Sequence, residues 1–137
     1  MKNKLIKVVV GIIFNDNKIL ICKRKKDSDH SLKWEFPGGK MKSDEEPIFA
    51  LTRELKEELT IDISEPIFLT DYFFEYFELK KKIHLFFYAI LKYNNQIQNI
   101  LHKDLKWIEI QELSNYDFIE GDQLIIQKLI NNEFKLY

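Results

Sequence analysis

The chain carries one cysteine in 137 residues, Cys22. A lone cysteine excludes an internal disulfide framework and fits a reducing compartment. Flanked by Ile21 and Lys23 in an expected strand, it reads as a small buried apolar residue rather than a reactive thiol. No apolar run approaches the roughly 20 residues that a helix needs to cross a bilayer. The opening MKNKLIKVVVGIIFNDNK has a short apolar run, but no small-residue cleavage site follows it. It turns at Asn15-Asp16-Asn17 and reads as a strand, not a secretion signal. Excess charge is missing too. A net charge of −1 gives no reason to expect stable binding of nucleic acid or of an anionic membrane. There is no repeat, low-complexity segment or linker. These absences leave a cytoplasmic protein of one domain, residues 1–137, expected to be a monomer or homodimer.

What is present is a sizeable apolar fraction, 45%, beside 31% charged residues, enough for a core with a soluble surface. Lys4–Phe14 is rich in Val and Ile and reads as a buried strand. After the Asn-Asp-Asn turn, Lys18–Arg24 alternates as its hairpin partner. Lys25–Lys33 is a polar loop. Trp34–Phe36 is a short strand ended by a turn at Pro37-Gly38-Gly39. A capping box is available at Ser43 and Glu46, but Pro47 favours itself as the first helical residue and disfavours helical geometry before it. The spacing therefore predicts a helix from Pro47 to about Leu59, with Glu46 at its N-cap. Pro66–Phe77 and Ile83–Leu91 form an aromatic hairpin with a turn over Glu78–Lys82. It reads as core, with a dimer face as the alternative. Tyr93–Leu101 is an Asn/Gln-rich loop, Lys106–Ile110 a strand, and Gln111–Asn115 a helical turn. Asp122–Asn131 is a closing amphipathic helix that aligns Leu124, Ile125, Lys128 and Leu129. The order β-β-β-α-β-β-β-α predicts an α/β or α+β layered fold with helices on a mixed sheet.

The chemistry concentrates in Trp34–Ile61. On a helical wheel Ile48, Leu51, Leu55 and Leu59 make one apolar stripe. Glu54, Glu57 and Glu58 fall beside it. Glu54 and Glu58 face each other four residues apart, which costs a few tenths of a kcal/mol. Arg53 reaches Glu57 at the same spacing but leaves the three carboxylates short of neutral. One reading is a solvated acidic face. The other is a site for a hard divalent cation, Mg²⁺ or Mn²⁺, bridging carboxylates and substrate phosphates. The flanks favour the second. Gly38-Gly39 lets the backbone approach a ligand closely, and Glu45 is placed to orient Arg53.

This stretch resembles the Nudix box, G-x5-E-x7-R-E-U-x-E-E-x-G-U with U aliphatic. The matching residues are Gly39, Glu45, Arg53, Glu54, Leu55, Glu57, Glu58 and Ile61. The resemblance implies the Nudix fold, an α/β/α sandwich, and divalent-metal hydrolysis of a nucleoside diphosphate linked to a further group. It implies that Glu54, Glu57 and Glu58 hold Mg²⁺ with the Gly38 carbonyl nearby, that Arg53 orients the glutamates, and that Glu45 braces the site. Thr60 departs from the box, which has glycine there for a left-handed helix end. β-Branched Thr is disfavoured in that conformation.

WEFPGGK before the box is similar to the MutT-type branch, which converts nucleoside triphosphates to monophosphate and pyrophosphate. Trp107, Glu112-Leu113 and Phe118–Asp122 resemble that branch's C-terminal pattern. By this analogy Asp122 contacts the base, with helix capping as the plain alternative. Arg24 and Phe36 line the nucleotide site, or are a surface cation and a core aromatic. The implied partner is a small nucleotide, an oxidised one such as 8-oxo-dGTP or a pyrimidine triphosphate such as CTP. Alternatives are another nucleoside diphosphate derivative (a dinucleoside polyphosphate, a sugar nucleotide, an RNA 5′ end) or a non-catalytic nucleotide sensor. Relatives often carry Glu-His where this chain has Leu101-His102. The general base then falls to Glu57 or Glu58, with Asp104 weaker. His102 reads as structural or on the surface, and His84 as a satisfied strand residue.

Overall fold

The computed structural model describes residues 4–76 and 80–136. Phe77 and the start of the expected turn at Glu78 lie outside these. The first strand, β1 (Lys4–Asn15), is the axis of the sheet. It runs parallel to β7 (Lys81–Ile90), which pairs antiparallel with β6 (Ile67–Tyr76). Along its other edge β1 changes partner. Val8–Val10 pair with β4 (Gly38–Lys40), and Phe14 and Asn15 pair with β2 (Lys18–Lys23). β2 also carries β3 (Trp34–Glu35) and β9 (Asp104–Glu109). A separate two-stranded ribbon joins β5 (Asp62–Ser64) to β8 (Lys92–Asn94).

β1 reads as continuously apolar because both faces of the sheet are covered. Val9 and Ile13 point to one side, where they pack with Leu51, Leu55 and Leu59 of the helix α1 (Pro47–Leu59). Val10, Ile12 and Phe14 point to the other, against Ile125, Ile126 and Leu129 of the helix α2 (Gln123–Ile130). Sheet between helices is the α/β/α sandwich. Each fully buried leucine of α1 contributes about 1.5–3 kcal/mol. Gly11 allows the close approach: a Cβ there would meet Leu55 Cδ1 at 3.1 Å. Cys22 is fully buried, and that burial pushes its thiol pKa well up.

The structure corrects several sequence expectations. Gly38-Gly39 is not only a turn but part of β4. A Cβ on Gly38 would lie 2.0 Å from the Val9 carbonyl oxygen, so that edge pairs only with a residue lacking a side chain. Tyr93 and Asn94, expected at the start of a loop, belong to the strand β8. Ile48 and Leu124 are half-exposed, and Ala50 and Ile126 take their places in the core. Ile48 and Leu124 each lie at the start of their helix, ahead of the first residue that enters the packed clusters. The aromatic hairpin is core only in part, since Phe68 and Phe73 are exposed. His84 is satisfied as expected, 2.6 Å from Asp71 Oδ2 and stacked on Phe73. Among the described residues no helix is long and apolar enough to cross a membrane.

Candidate active site

β4 runs beside the middle of α1, and the two glycines decide how close it comes. A Cβ on Gly39 would fall 2.4 Å from the Glu54 carboxylate. The missing side chain is the space that carboxylate occupies. Arg53, one residue earlier, turns its guanidinium along the acidic row. Its Nε and Nη2 each donate to Glu45 at 2.7 Å, and Nη1 donates to Glu54 at 3.0 Å and to Glu57 at 3.3 Å. Nη2 also reaches the Lys40 carbonyl of β4. The fork geometry of arginine allows this bidentate grip. The Glu45 carboxylate also accepts the Lys42 N–H. The Arg53 hydrogen bond, then the Lys42 bond, hold the Glu45 pKa down at about 2.

The three box carboxylates differ in burial. Glu57 is mostly exposed, Glu54 is largely covered, and the Glu58 side chain is 6% exposed. Glu58 Oε2 is buried without a hydrogen-bond partner. Burial, then the neighbouring Glu54, raise the Glu58 pKa far above the usual carboxylate range. A buried carboxyl with an unpaired oxygen is costly unless something pairs with it. Among the described residues no three acidic, histidine or cysteine groups already enclose a metal, and Arg53 Nη1 is bonded to both Glu54 and Glu57. The donor set nevertheless fits a hard divalent cation: carboxylate oxygens, one of them an orphan, beside a glycine backbone.

Loop 95–103 docks on the end of α1. Thr60 closes the helix in the left-handed region, φ 65°, ψ 17°, so the helix keeps the glycine-type ending and Thr60 carries the strain rather than the helix ending differently. The loop then covers the last carbonyls. Gln98 N–H donates to Leu59 O, Ile100 N–H to Glu58 O, and the Thr60 hydroxyl to Gln96 O. This brings His102 inward. It is neither a surface residue nor remote from the site. Its ring is 1% exposed, with Nε2 3.1 Å from Glu35 Oε2 and 3.5 Å from Glu58 Oε1. Glu35 accepts from Arg24 Nη1 at 2.8 Å through its other oxygen. Arg24 is therefore held in place rather than being a free surface cation. Leu101 is half-exposed. Asp104 uses one carboxylate oxygen on the Leu105 N–H.

A cleft of about 440 Å³ opens from this acidic end. Gly38, Gly39, Glu58 and Glu35 line one part of it. Phe36, Ile83, Leu85 and Asp122 line another, and Arg24, Lys40 and Lys81 supply cationic groups. Phe36 is buried against Phe118, with ring centroids 5.2 Å apart, so it is both core and wall. Asp122 does not cap α2 with its side chain. The Tyr72 hydroxyl of β6 accepts the Ile125 N–H at 3.0 Å and serves that end of the helix instead. The Asp122 carboxylate is left to accept the Phe36 N–H through Oδ2 at 3.1 Å. Complete burial is the main reason its pKa is pushed up to about 8; the Phe36 bond opposes this and the Glu35 charge adds to it.

Of the ten residues singled out by sequence, Arg24, Phe36, Gly38, Gly39, Glu58 and Asp122 line the cleft, and Glu45, Glu54 and Glu57 are gathered by Arg53. Glu35, His102, Lys40, Lys81 and Tyr72 were missed. Glu35 was within reach of sequence reasoning: strand alternation sets it on the opposite face from Trp34 and Phe36. For the other four, position in the chain gives no sign of the cleft.

With this geometry the family is defined. Residues 4–129 match the NUDIX domain model, and the chain belongs to that family. It is 35% identical over 128 residues to the 8-oxo-dGTP diphosphatase of Buchnera aphidicola subsp. Schizaphis graminum, covering 92% of this chain and 94% of that one. It is 34% identical over 119 residues to the CTP pyrophosphohydrolase of Escherichia coli, covering 87% of each. Among solved structures, the E. coli ORF135 protein in solution matches with a TM-score of 0.84 and 32% identity, over 95% of this chain and 91% of that one.

Proposed function

We propose that residues 1–137 form one Nudix domain that hydrolyses a nucleoside triphosphate to the monophosphate and pyrophosphate. The observation that carries this reading is the cleft itself. Its lining includes Glu58, which holds an unpaired buried oxygen, apolar side chains such as Phe36, Ile83 and Leu85, and the Asp122 carboxyl. A triphosphate has the matching polarity, with an anionic chain needing a cation at one end and a flat base at the other.

In this reading Glu54, Glu57 and Glu58 hold Mg²⁺, with Mn²⁺ the alternative, beside the Gly38 carbonyl. The cation, when bound, neutralises diphosphate charge and makes water a better nucleophile. Arg53 orients the glutamates and Glu45 braces Arg53. Arg24, Phe36, Gly39 and Asp122 receive the nucleotide, Phe36 flanking the base and Asp122 hydrogen-bonding its edge. Water adds to phosphorus, the bridging P–O bond breaks, and the water's proton passes to Glu57 or Glu58, since Leu101 offers no carboxylate. The relatives' names point to an oxidised guanine nucleotide or CTP as the first candidates. A net charge of −1 gives no purchase for stable nucleic-acid binding.

The test is product analysis on a panel of canonical and oxidised triphosphates with Mg²⁺, with Glu58→Gln as control. Monophosphate plus pyrophosphate from one substrate is expected, with at least a ~10²-fold lower kcat in the variant. Turnover only of a dinucleotide or sugar nucleotide reassigns the substrate. Equal, metal-independent behaviour of wild type and variant overturns the enzymatic reading.

A further inference from the structure

His102 is buried, polar and unused by the reading above. Its main chain is fixed twice by one side chain: Asn99 Oδ1 accepts the His102 N–H at 2.9 Å and Asn99 Nδ2 donates to the His102 carbonyl at 2.8 Å. Its neighbour Ile100 is bonded to the Glu58 carbonyl. The ring is therefore delivered to Glu58 by a backbone that is itself anchored on α1. At the ring, Nε2 faces two carboxylates, Glu35 Oε2 at 3.1 Å and Glu58 Oε1 at 3.5 Å. Glu35, ion-paired with Arg24, is the hydrogen-bond acceptor, so Nε2 carries the hydrogen. In the neutral tautomer Nδ1 is then a bare lone pair, and Nδ1 is the buried ring atom without a partner. A buried orphan acceptor is the less rare of the two kinds of unpaired group. Glu58 also has one unpaired atom, with Oε1 toward the ring and Oε2 unpartnered.

We propose that His102 is a positioning residue of the hydrolase site. Its Nε2–H donates to Glu35 Oε2 and lies 3.5 Å from Glu58 Oε1, which keeps that oxygen turned to the ring and leaves Oε2 for a divalent cation. The same contact ties that ligand through Glu35 to Arg24 on the nucleotide side, since Arg24 Nη1 lies 2.8 Å from Glu35 Oε1. Position 101 supplies no carboxylate, and the residue after it supplies a donor that aims one already present. The proposal rests on the metal-dependent hydrolase reading. Groups that orient a metal ligand are commonly worth 10–100-fold in metal affinity or activity.

The test compares His102→Gln, whose amide nitrogen falls near the place of Nε2, with His102→Asn, which reaches only the place of Nδ1, and with His102→Leu. Mn²⁺ dissociation constants are measured by electron paramagnetic resonance on the substrate-free protein. kcat and KM are measured on the triphosphate that wild type turns over, and melting temperatures are recorded throughout. Expected are Mn²⁺ binding about tenfold or more weaker and a lower kcat with KM little changed in the Asn and Leu variants, and recovery of most of both in Gln. Long-range ¹H–¹⁵N spectra of wild type should place the ring proton on Nε2. If Leu fails to fold, the contrast between Gln and Asn decides. Wild-type constants in the Leu variant, equal losses in Gln and Asn, or a proton on Nδ1 would each overturn the proposal. A wild type that binds Mn²⁺ but hydrolyses nothing overturns the hydrolase reading instead, and the Mn²⁺ constants then judge His102 alone.

Discussion

Asp122 shows at the scale of one residue how burial changes what a side chain offers. In the unfolded chain its carboxyl ionises near 3.8, and in the fold its pKa is pushed up to about 8. Below about pH 4 both states hold the proton and the group adds no penalty. Between about pH 4 and 8 the unfolded chain gives the proton up while the folded chain keeps it, so stability falls as pH rises. Above about pH 8 both are ionised and the loss levels off. Glu58 is shifted in the same direction, so the Asp122 contribution is isolated by subtraction. Urea midpoints of wild type and Asp122→Asn at several pH values across this window should diverge: wild type loses stability relative to the variant as pH rises. Asn keeps an oxygen for the Phe36 N–H, so the comparison removes the titration and spares the hydrogen bond. Parallel curves would show that Asp122 titrates normally. Near neutral pH the protonated carboxyl can donate as well as accept, which suits a base edge carrying both an acceptor and a donor.

At the scale of elements, α1 is written in the sequence at both ends. Pro47 fixes its start and Glu46 its N-cap position, and the acidic spacing marks the site face. Its end is strained: Thr60 sits at φ 65°, where a β-branched residue costs roughly 1–2 kcal/mol. Thr60→Gly removes that cost and loses one exposed hydrogen bond to Gln96 O, worth about 0.5–1 kcal/mol. A net gain of about 0.5–1 kcal/mol is expected in chemical denaturation, with an unchanged denaturant slope; a loss would mean that the loop bond outweighs the strain. β4 was not legible, because two glycines lack the side chains by which a strand is read. It exists because Val9 and Glu54 leave no room for a Cβ, a fact of packing. β8 hid in an Asn-rich stretch with no alternation. His102 was readable as a residue but not as a site residue, since only the docking of loop 95–103 onto α1 carries it to Glu58. Asp122 was placed correctly at the head of α2. That it does not cap the helix depends on Tyr72, 50 positions earlier in the chain, whose hydroxyl takes the Ile125 N–H.

At the scale of the whole molecule, the acidic cluster is where separate parts of the chain meet. α1 gives the glutamates, β4 gives the glycine backbone, β3 gives Glu35, and loop 95–103 gives His102. This junction carries an unpaired buried oxygen on Glu58 and a row of carboxyl groups gathered on the single guanidinium of Arg53. A cation that binds there binds only the folded arrangement, because the unfolded chain separates these groups. Folding is then linked to metal by RT ln(1 + [L]/Kd), about 2.7 kcal/mol at a hundredfold excess over Kd. For a domain of this size each kcal/mol moves the melting temperature by a few degrees. Titrating Mg²⁺ should therefore raise the wild-type melting temperature in step with the logarithm of its concentration once Kd is passed. Glu58→Gln replaces the most buried of the three carboxyls proposed to hold the cation. Near neutral pH and without added metal it should start with a higher melting temperature, because the fold no longer has to keep a proton on a buried carboxyl that the unfolded chain gives up, and it should respond little to Mg²⁺. Those two shifts have opposite signs at one position, which a mutation that only loosens the fold cannot produce. A Glu58→Gln protein that melts lower than wild type without metal, yet rises with Mg²⁺ as wild type does, would place the cation somewhere other than α1.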